Sequence, residues 1–178
     1  MKADTEIERE AAAVWREYAA TRNKINSGEI DTWTVLGDYF TEDATFIDPA
    51  WGRVDGLANV IAFLEESMVG LDSWKFDEVW TMVEGHRVVS MFNQVMGKRE
   101  DGTPGGQPGI SVLYYAGDGK FCYEMDLMNM QHVMEMIGKV EWQPSGPLKM
   151  PPDHPNRDWT LSAKWRHLAD DGVLKPNW

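Results

Sequence analysis

At 178 residues, with 43% hydrophobic and 26% charged positions, the chain suits one globular domain burying roughly 70% of its unfolded surface. A net charge of −12 argues against nucleic acid and anionic membrane surfaces as partners, and no apolar run approaches the roughly 20 residues of a membrane span. A lone Cys122 excludes an internal disulfide and, with an acidic N-terminus that lacks an apolar leader, predicts a cytoplasmic protein.

Thr5-Glu6-Ile7-Glu8 has the form of a capping box, in which Thr5 and Glu8 each satisfy an orphan backbone N–H. Ile7, Ala11, Val14, Trp15, Tyr18, Arg22 and Ile25 follow at helical spacing, and Ser27-Gly28 ends the helix. Asp31 is placed to cap a second, shorter helix that buries Trp33, Leu36 and Phe40. Asp43-Ala44 reads as a turn into a short strand, residues 45–48, closed by Pro49. After a turn at Asp55-Gly56, a third helix sets Leu57, Val60, Ile61, Leu64 and Met68 on one face.

From there the period changes to two. Residues 75–83, 87–99, 109–115 and 120–128 read as strands. Glu84-Gly85 and Gly117-Asp118-Gly119 are short hairpin signals, and residues 101–108 form a longer Gly/Pro loop, so the strands make an antiparallel meander. Asn129 caps a last short helix carrying Val133, Met136 and Ile137. Helices first and a meander afterwards mean α+β. Residues 1–138 form the domain. The extension at 139–178 holds six of the nine prolines and four of the nine tryptophans, too many for a disordered linker. It is expected to wrap the domain or a neighbouring subunit, with a short helix near 158–169. Nine Trp and eleven Met in all suit a roomy apolar pocket, an oligomer interface or a bulky core.

The run Tyr39-Phe40-Thr41-Glu42-Asp43-Ala44-Thr45-Phe46-Ile47-Asp48-Pro49 resembles the helix-to-strand passage of ketosteroid isomerases and the wider SnoaL-like, nuclear-transport-factor-2-like superfamily. The likeness extends over about residues 5–138. It implies a curved antiparallel sheet forming a cone (an α+β barrel) on the N-terminal helices, and pairing of outer sheet faces into a homo-oligomer. The isomerases end this strand with an Asp-Pro whose Asp is the general base; that role falls on Asp48. Aligned through Gly117-Asp118-Gly119-Lys120, their oxyanion-binding Asp corresponds to Ser111. Their second donor, a Tyr in the first helix, aligns near Thr21, with Tyr18 one turn earlier on a similar face. SnoaL-like cyclases use an acid on the final strand, which implies acid–base roles for Asp126 and Glu124.

Glu124, Asp126 and Met128 alternate along that strand and share one face. The hairpin register carried over from Ser111 turns this face inward; a slip by one would bring in Tyr123, Met125 and Leu127 instead. An Asp in an apolar cup has a raised pKa and is the stronger base for it. Proton removal beside a carbonyl leaves negative charge that needs a donor. The candidates are Tyr18, Ser111 and whichever of Asn93 and Gln94 faces inward. Trp51 stands at the pocket mouth or simply packs, and Phe46, Leu113 and Met128 supply apolar wall. Arg53 is expected to pair with Asp55. No metal-ligand spacing and no phosphate-binding loop occur in the sequence, so neither metal nor cofactor is expected.

These readings predict a cofactor-independent lyase, isomerase or cyclase using carboxylate chemistry on a small hydrophobic molecule. An aromatic or polycyclic substrate from lignin-type or steroid catabolism fits the resemblance. Two alternatives stand beside it. One is an epoxide hydrolase of the limonene-epoxide type, whose Asp-Arg-Asp set needs an inward Arg that is not evident. The other is a non-catalytic binding or assembly module, with the pocket acids tied in salt bridges and the tail covering the pocket.

Overall fold

The capping box forms as expected: Thr5 Oγ1 accepts from the Glu8 N–H, and the Glu8 carboxylate accepts from the Thr5 N–H. It opens α1 (Glu6–Ser27), which ends at Gly28 in the left-handed conformation that favours glycine, φ 77°. The computed structural model describes residues 5–169. The buried stripe of α1 runs through Ala11, Trp15, Tyr18, Ala19, Arg22 and Ile25. Tyr18 and Arg22 therefore lie one turn apart on the face that meets the sheet.

The expected second helix is a single 3-10 stretch, Thr34–Tyr39, capped by Trp33 and not by Asp31. β-branched Thr34 and Val35 and a central Gly37 are weak helix formers, and six residues give little room for a regular helix. Phe40 already belongs to β1 (Phe40–Asp48). Asp43-Ala44 lies inside this strand, because a register irregularity between Phe40 and Thr45 absorbs the expected turn. A four-residue strand not foreseen, β2 (Gly52–Asp55), folds back on β1 and leads into α2 (Leu57–Glu66).

The meander comprises β3 (Lys75–Glu84), β4 (Arg87–Lys98), β5 (Pro104–Gly117) and β6 (Lys120–Met128). β5 begins before the expected end of the Gly/Pro loop. Gly106 lies so close to β4 that a Cβ would sit 2.2 Å from the Gln94 carbonyl oxygen, so its lack of a side chain serves strand pairing. Asp118 and Gly119, both at positive φ, make the tight β5–β6 turn. Asn129 caps α3 (Met130–Ile137) through bonds from the Gln131 and His132 N–H groups.

The six strands run in the order β2-β1-β6-β5-β4-β3. The sheet is mixed, where a wholly antiparallel one was expected: β1 pairs with β6 in parallel. The four-strand meander returns to the free side of β1 and arrives there in the same direction. β2 and β3 remain as edges, so the curved sheet is open and the barrel does not close. α1, α2 and the 3-10 segment cover its concave side and bury Trp15, Tyr18, Phe40, Phe46, Phe63 and Leu113 in one cluster.

The extension covers part of the opposite side. Leu168, with Leu161 and Trp165 beside it, packs on Ile47, Cys122 and Tyr123. Tyr123 donates to the Trp159 carbonyl at 2.6 Å, Arg53 N–H donates to the Asn156 carbonyl at 2.8 Å, and Lys164 pairs with Asp43 at 2.8 Å. This explains why β1 and β6 each carry four consecutive buried residues where alternation would otherwise appear. In place of the expected helix near 158–169 there is a 3-10 turn at Arg166–Ala169.

Burial pushes the Cys122 thiol up to about 12, so its thiolate is scarce while the extension is seated. Leu168→Ala is expected to destabilise the protein by about 2–4 kcal/mol, read as a fall in the urea midpoint. The same change should speed Cys122 labelling by a disulfide reagent at pH 8. Unchanged midpoint and labelling rate would show that the extension is not part of the core.

Candidate active site

Between the concave sheet and the helices lies a cavity of about 430 Å³, within the range of pockets that hold drug-sized molecules. Its wall is mostly aromatic and aliphatic, including Phe46, Phe63, Trp74, Phe92 and Met128. Trp51 and the extension residues Leu148, Met150 and Pro151 also line it. The extension thus contributes to the cavity wall.

Tyr18, Arg22, Ser111, Glu124 and Asp126 gather at the α1 end. β6 alternation turns Glu124 and Asp126 inward, and in the β5 register Ser111 stands directly opposite Asp126. Ser111 Oγ donates to Asp126 Oδ1 at 2.5 Å. Tyr18 donates its hydroxyl to Glu124 Oε2 at 3.0 Å, reaching from the buried stripe of α1. Glu124 is only 2% exposed. Burial first, and then the charge of Asp126, raise its pKa well above the ordinary carboxylate range, which favours its protonated form. Burial also raises Asp126, to about 7; the Ser111 bond opposes this shift, the Asp48 charge adds to it, and Arg22 opposes it. A carboxyl biased toward its neutral form therefore sits beside a group poised to gain or lose a proton near pH 7.

Asp48 ends β1 and lines the same cavity. Its Oδ1 accepts from the Ala50 N–H at 2.7 Å and the Trp51 N–H at 2.8 Å, a local turn that fixes the carboxylate. Burial raises its pKa, while those two bonds pull the other way.

In the sequence Arg22 is marked only as a member of a mostly apolar helical stripe. It is 4% exposed and lines the cavity, with its guanidinium 5.4 Å from the Trp15 ring and 6.0 Å from the rings of Tyr18 and Phe92. Its Nε and Nη2 are buried without a hydrogen-bond partner. An inward Arg is thus present, contrary to the sequence expectation. The signal was a charged residue at a stripe position one turn beyond Tyr18.

Of the paired candidates on β4, Gln94 faces the cavity, and Asn93, opposite Pro108, lies on the other face of the strand. Leu113 is fully buried in the core cluster beneath α1 and is not part of the cavity wall, because α1 fills the space above it. Tyr18, Phe46, Asp48, Trp51, Ser111, Glu124, Asp126 and Met128 all line the cavity. Arg53 pairs with Asp55 at 2.8 Å and also donates to the Thr160 carbonyl at 2.6 Å, on the side that the extension covers.

The family profile of the SnoaL-like domain matches residues 10–124. The chain belongs to the SnoaL-like family. No curated protein matches this SnoaL-like chain in sequence. Among solved structures it is similar to a protein designated a SnoaL-like polyketide cyclase from Jannaschia sp., at 19% identity and TM-score 0.58, over 77% of this chain and 97% of that one. It is similar also to TerC, crystallised with polyporic acid, at 18% identity and TM-score 0.54, over 73% of this chain and 98% of that one. A protein designated a ketosteroid isomerase from Kribbella flavida aligns at 17% identity and TM-score 0.52, over 84% of this chain and 96% of that one. At these identities the likeness is one of fold: the nuclear-transport-factor-2-like cone.

Proposed function

We propose that this SnoaL-like protein is a cofactor-independent enzyme that moves a proton on an apolar, aromatic or polycyclic small molecule, by isomerisation, cyclisation or elimination. The observation that carries this reading is the pairing of Glu124 and Asp126, held by Tyr18 and Ser111 at one end of an apolar cavity. Ionised Asp126 takes a proton from a carbon next to a carbonyl. Protonated Glu124 donates to the oxygen that gains charge, and Arg22 favours that charge across a water-poor site. Return of the proton from Asp126 to another carbon gives isomerisation or follows ring closure. Delivery of a carboxyl proton to a departing oxygen gives elimination. Asp48 serves as a further acid toward the Trp51 side of the cavity.

Among the described residues, none of Asp48, Glu124 and Asp126 forms an ion pair. That favours the enzymatic reading over the binding-module reading, in which salt bridges would consume the acids. A panel of polycyclic ketones, aromatic dimers and terpenoid epoxides, assayed with wild type and with Glu124→Gln/Asp126→Asn, tests the proposal. Turnover that survives the double substitution defeats it.

A second reading, hydrolysis of an epoxide, gains support from the inward Arg22, which supplies the cation such sites use beside two carboxyls. Incorporation of oxygen from labelled water into a diol product selects it. In either case Arg22→Met is expected to move the alkaline limb of the pH–rate profile upward, because removing the cation leaves the acids harder to ionise.

A further inference from the structure

Gln94 is the polar group that the sheet presents to the cavity away from the acids, and it has no role in the acid–base step. It is 4% exposed and lines the cavity from β4. Across the β4–β5 register it faces Gln107, whose Nε2 donates to Gln94 Oε1 at 3.2 Å. Gln107 is 1% exposed and does not line the cavity, and its own Oε1 is buried without a partner. With its oxygen occupied, Gln94 presents its amide N–H donors, which meet no acceptor among the described residues. The reversed arrangement would instead orphan the two N–H donors of Gln107 in the core. An orphaned buried N–H is rarer than an under-satisfied carbonyl, so the pair sets Gln94 as a donor toward the cavity.

This donor is far from the acids. Ser90 faces Ser111, and Ser111 faces Asp126, whereas Gln94 lies four residues further along β4. Four residues of strand span about 13 Å. Phe92 lies between the two rows, with its ring over Gly109, where a Cβ would come within 2.3 Å of it. The sheet side of the cavity thus offers a polar group at the acids and another at Gln94, with the Phe92 ring between them; Ser67 and Lys149 line the cavity from outside the sheet.

We infer that the substrate is a two-ended, elongated molecule: its reacting centre lies at Asp126 and Glu124, and a hydrogen-bond-accepting oxygen roughly 13 Å further along the strand direction is held by Gln94. Carbonyl, ether and phenolic oxygens qualify; an alkyl group at that end does not. Gln107 is the positioning residue that keeps the Gln94 donors turned to the cavity. The assignment of ends rests on the proposed acid–base chemistry; the hydrogen bond at Gln94 does not.

The test uses two probes of nearly equal shape, 4-acetylbiphenyl and 4-isopropylbiphenyl, titrated calorimetrically into the full chain. Wild type is expected to prefer the acetyl probe by about threefold to tenfold, the range of one neutral hydrogen bond. Gln94→Met should abolish the preference. Gln107→Met, which leaves the cavity wall untouched, should reduce it by releasing the Gln94 amide. Equal affinity in wild type, failure of both probes to bind, or a preference that survives Gln94→Met overturns the inference. Asp126→Asn should retain the preference, so a failure here is separable from a failure of the acid–base proposal.

Discussion

Asp126→Asn is expected to lower kcat by about 10²–10⁴-fold on any substrate the protein turns over, the usual worth of a positioned general base. Asn keeps the size of Asp and can still accept the 2.5 Å bond from Ser111, so the cavity survives and only proton transfer is lost. The pH profile carries a second signature. With Asp126 raised to about 7 by burial, activity should climb with pH through that value as the base ionises. It should fall again at higher pH, where Glu124 gives up the proton it holds well above the carboxylate range. Because the two acids interact, the limbs belong to the pair. The measurement is kcat/KM from pH 5 to 10 for wild type, Asp126→Asn and Glu124→Gln. A kcat for Asp126→Asn within about threefold of wild type, with the acid limb intact, would remove Asp126 from the chemistry.

Stability should fall as pH rises, against the habit of most acidic proteins. Both Glu124 and Asp126 have folded-state pKa values above those of the unfolded chain, so the folded state holds their protons more tightly. Their protonated forms stabilise the fold fully below the ordinary carboxylate range, and this contribution is lost as pH climbs through about 7. A shift of this size in Asp126 corresponds to on the order of 4 kcal/mol between pH 4 and pH 8. Arg22 moderates the loss because it favours the ionised forms. Urea midpoints at pH 5, 6.5 and 8 should therefore decline for wild type. Glu124→Gln and Asp126→Asn should flatten the decline and be the more stable proteins at pH 8, since a neutral amide avoids the buried charge. A wild-type midpoint that is level or rises over this range, with the amide variants following it, would place the carboxyls in water.

The extent to which all this was legible in the sequence follows from the range of each interaction. The capping box at Thr5 and Glu8, the Gly28 stop, the Asn129 cap and the turn at Asp118-Gly119 are settled within four or five residues, and they stand where the sequence put them. Strict alternation turned Glu124, Asp126 and Met128 to one face, and the hairpin through Ser111 chose the inward one. The expected second helix was lost because a 3.6-residue period over 33–40 looked the same as a short turn feeding a strand.

Other features depended on partners distant in the chain. The parallel β1–β6 pairing joins residues about 80 positions apart, and no local pattern encodes the direction in which they meet. The consecutive buried residues of β1 and β6 make sense only with Leu168 and Trp165 laid over them. Asn93 and Gln94 are indistinguishable until the β4 pleat is assigned a face. Arg22 was set on the buried side of α1 by the same spacing that placed Tyr18. That a cation would tolerate this position was decided by three aromatic rings and two carboxyls drawn from α1, β4 and β6. Local spacing determined the elements and which way their side chains turn. The chemical character of the cavity was decided by tertiary packing, because burial and charge proximity, which set proton affinity, are properties of the assembled fold.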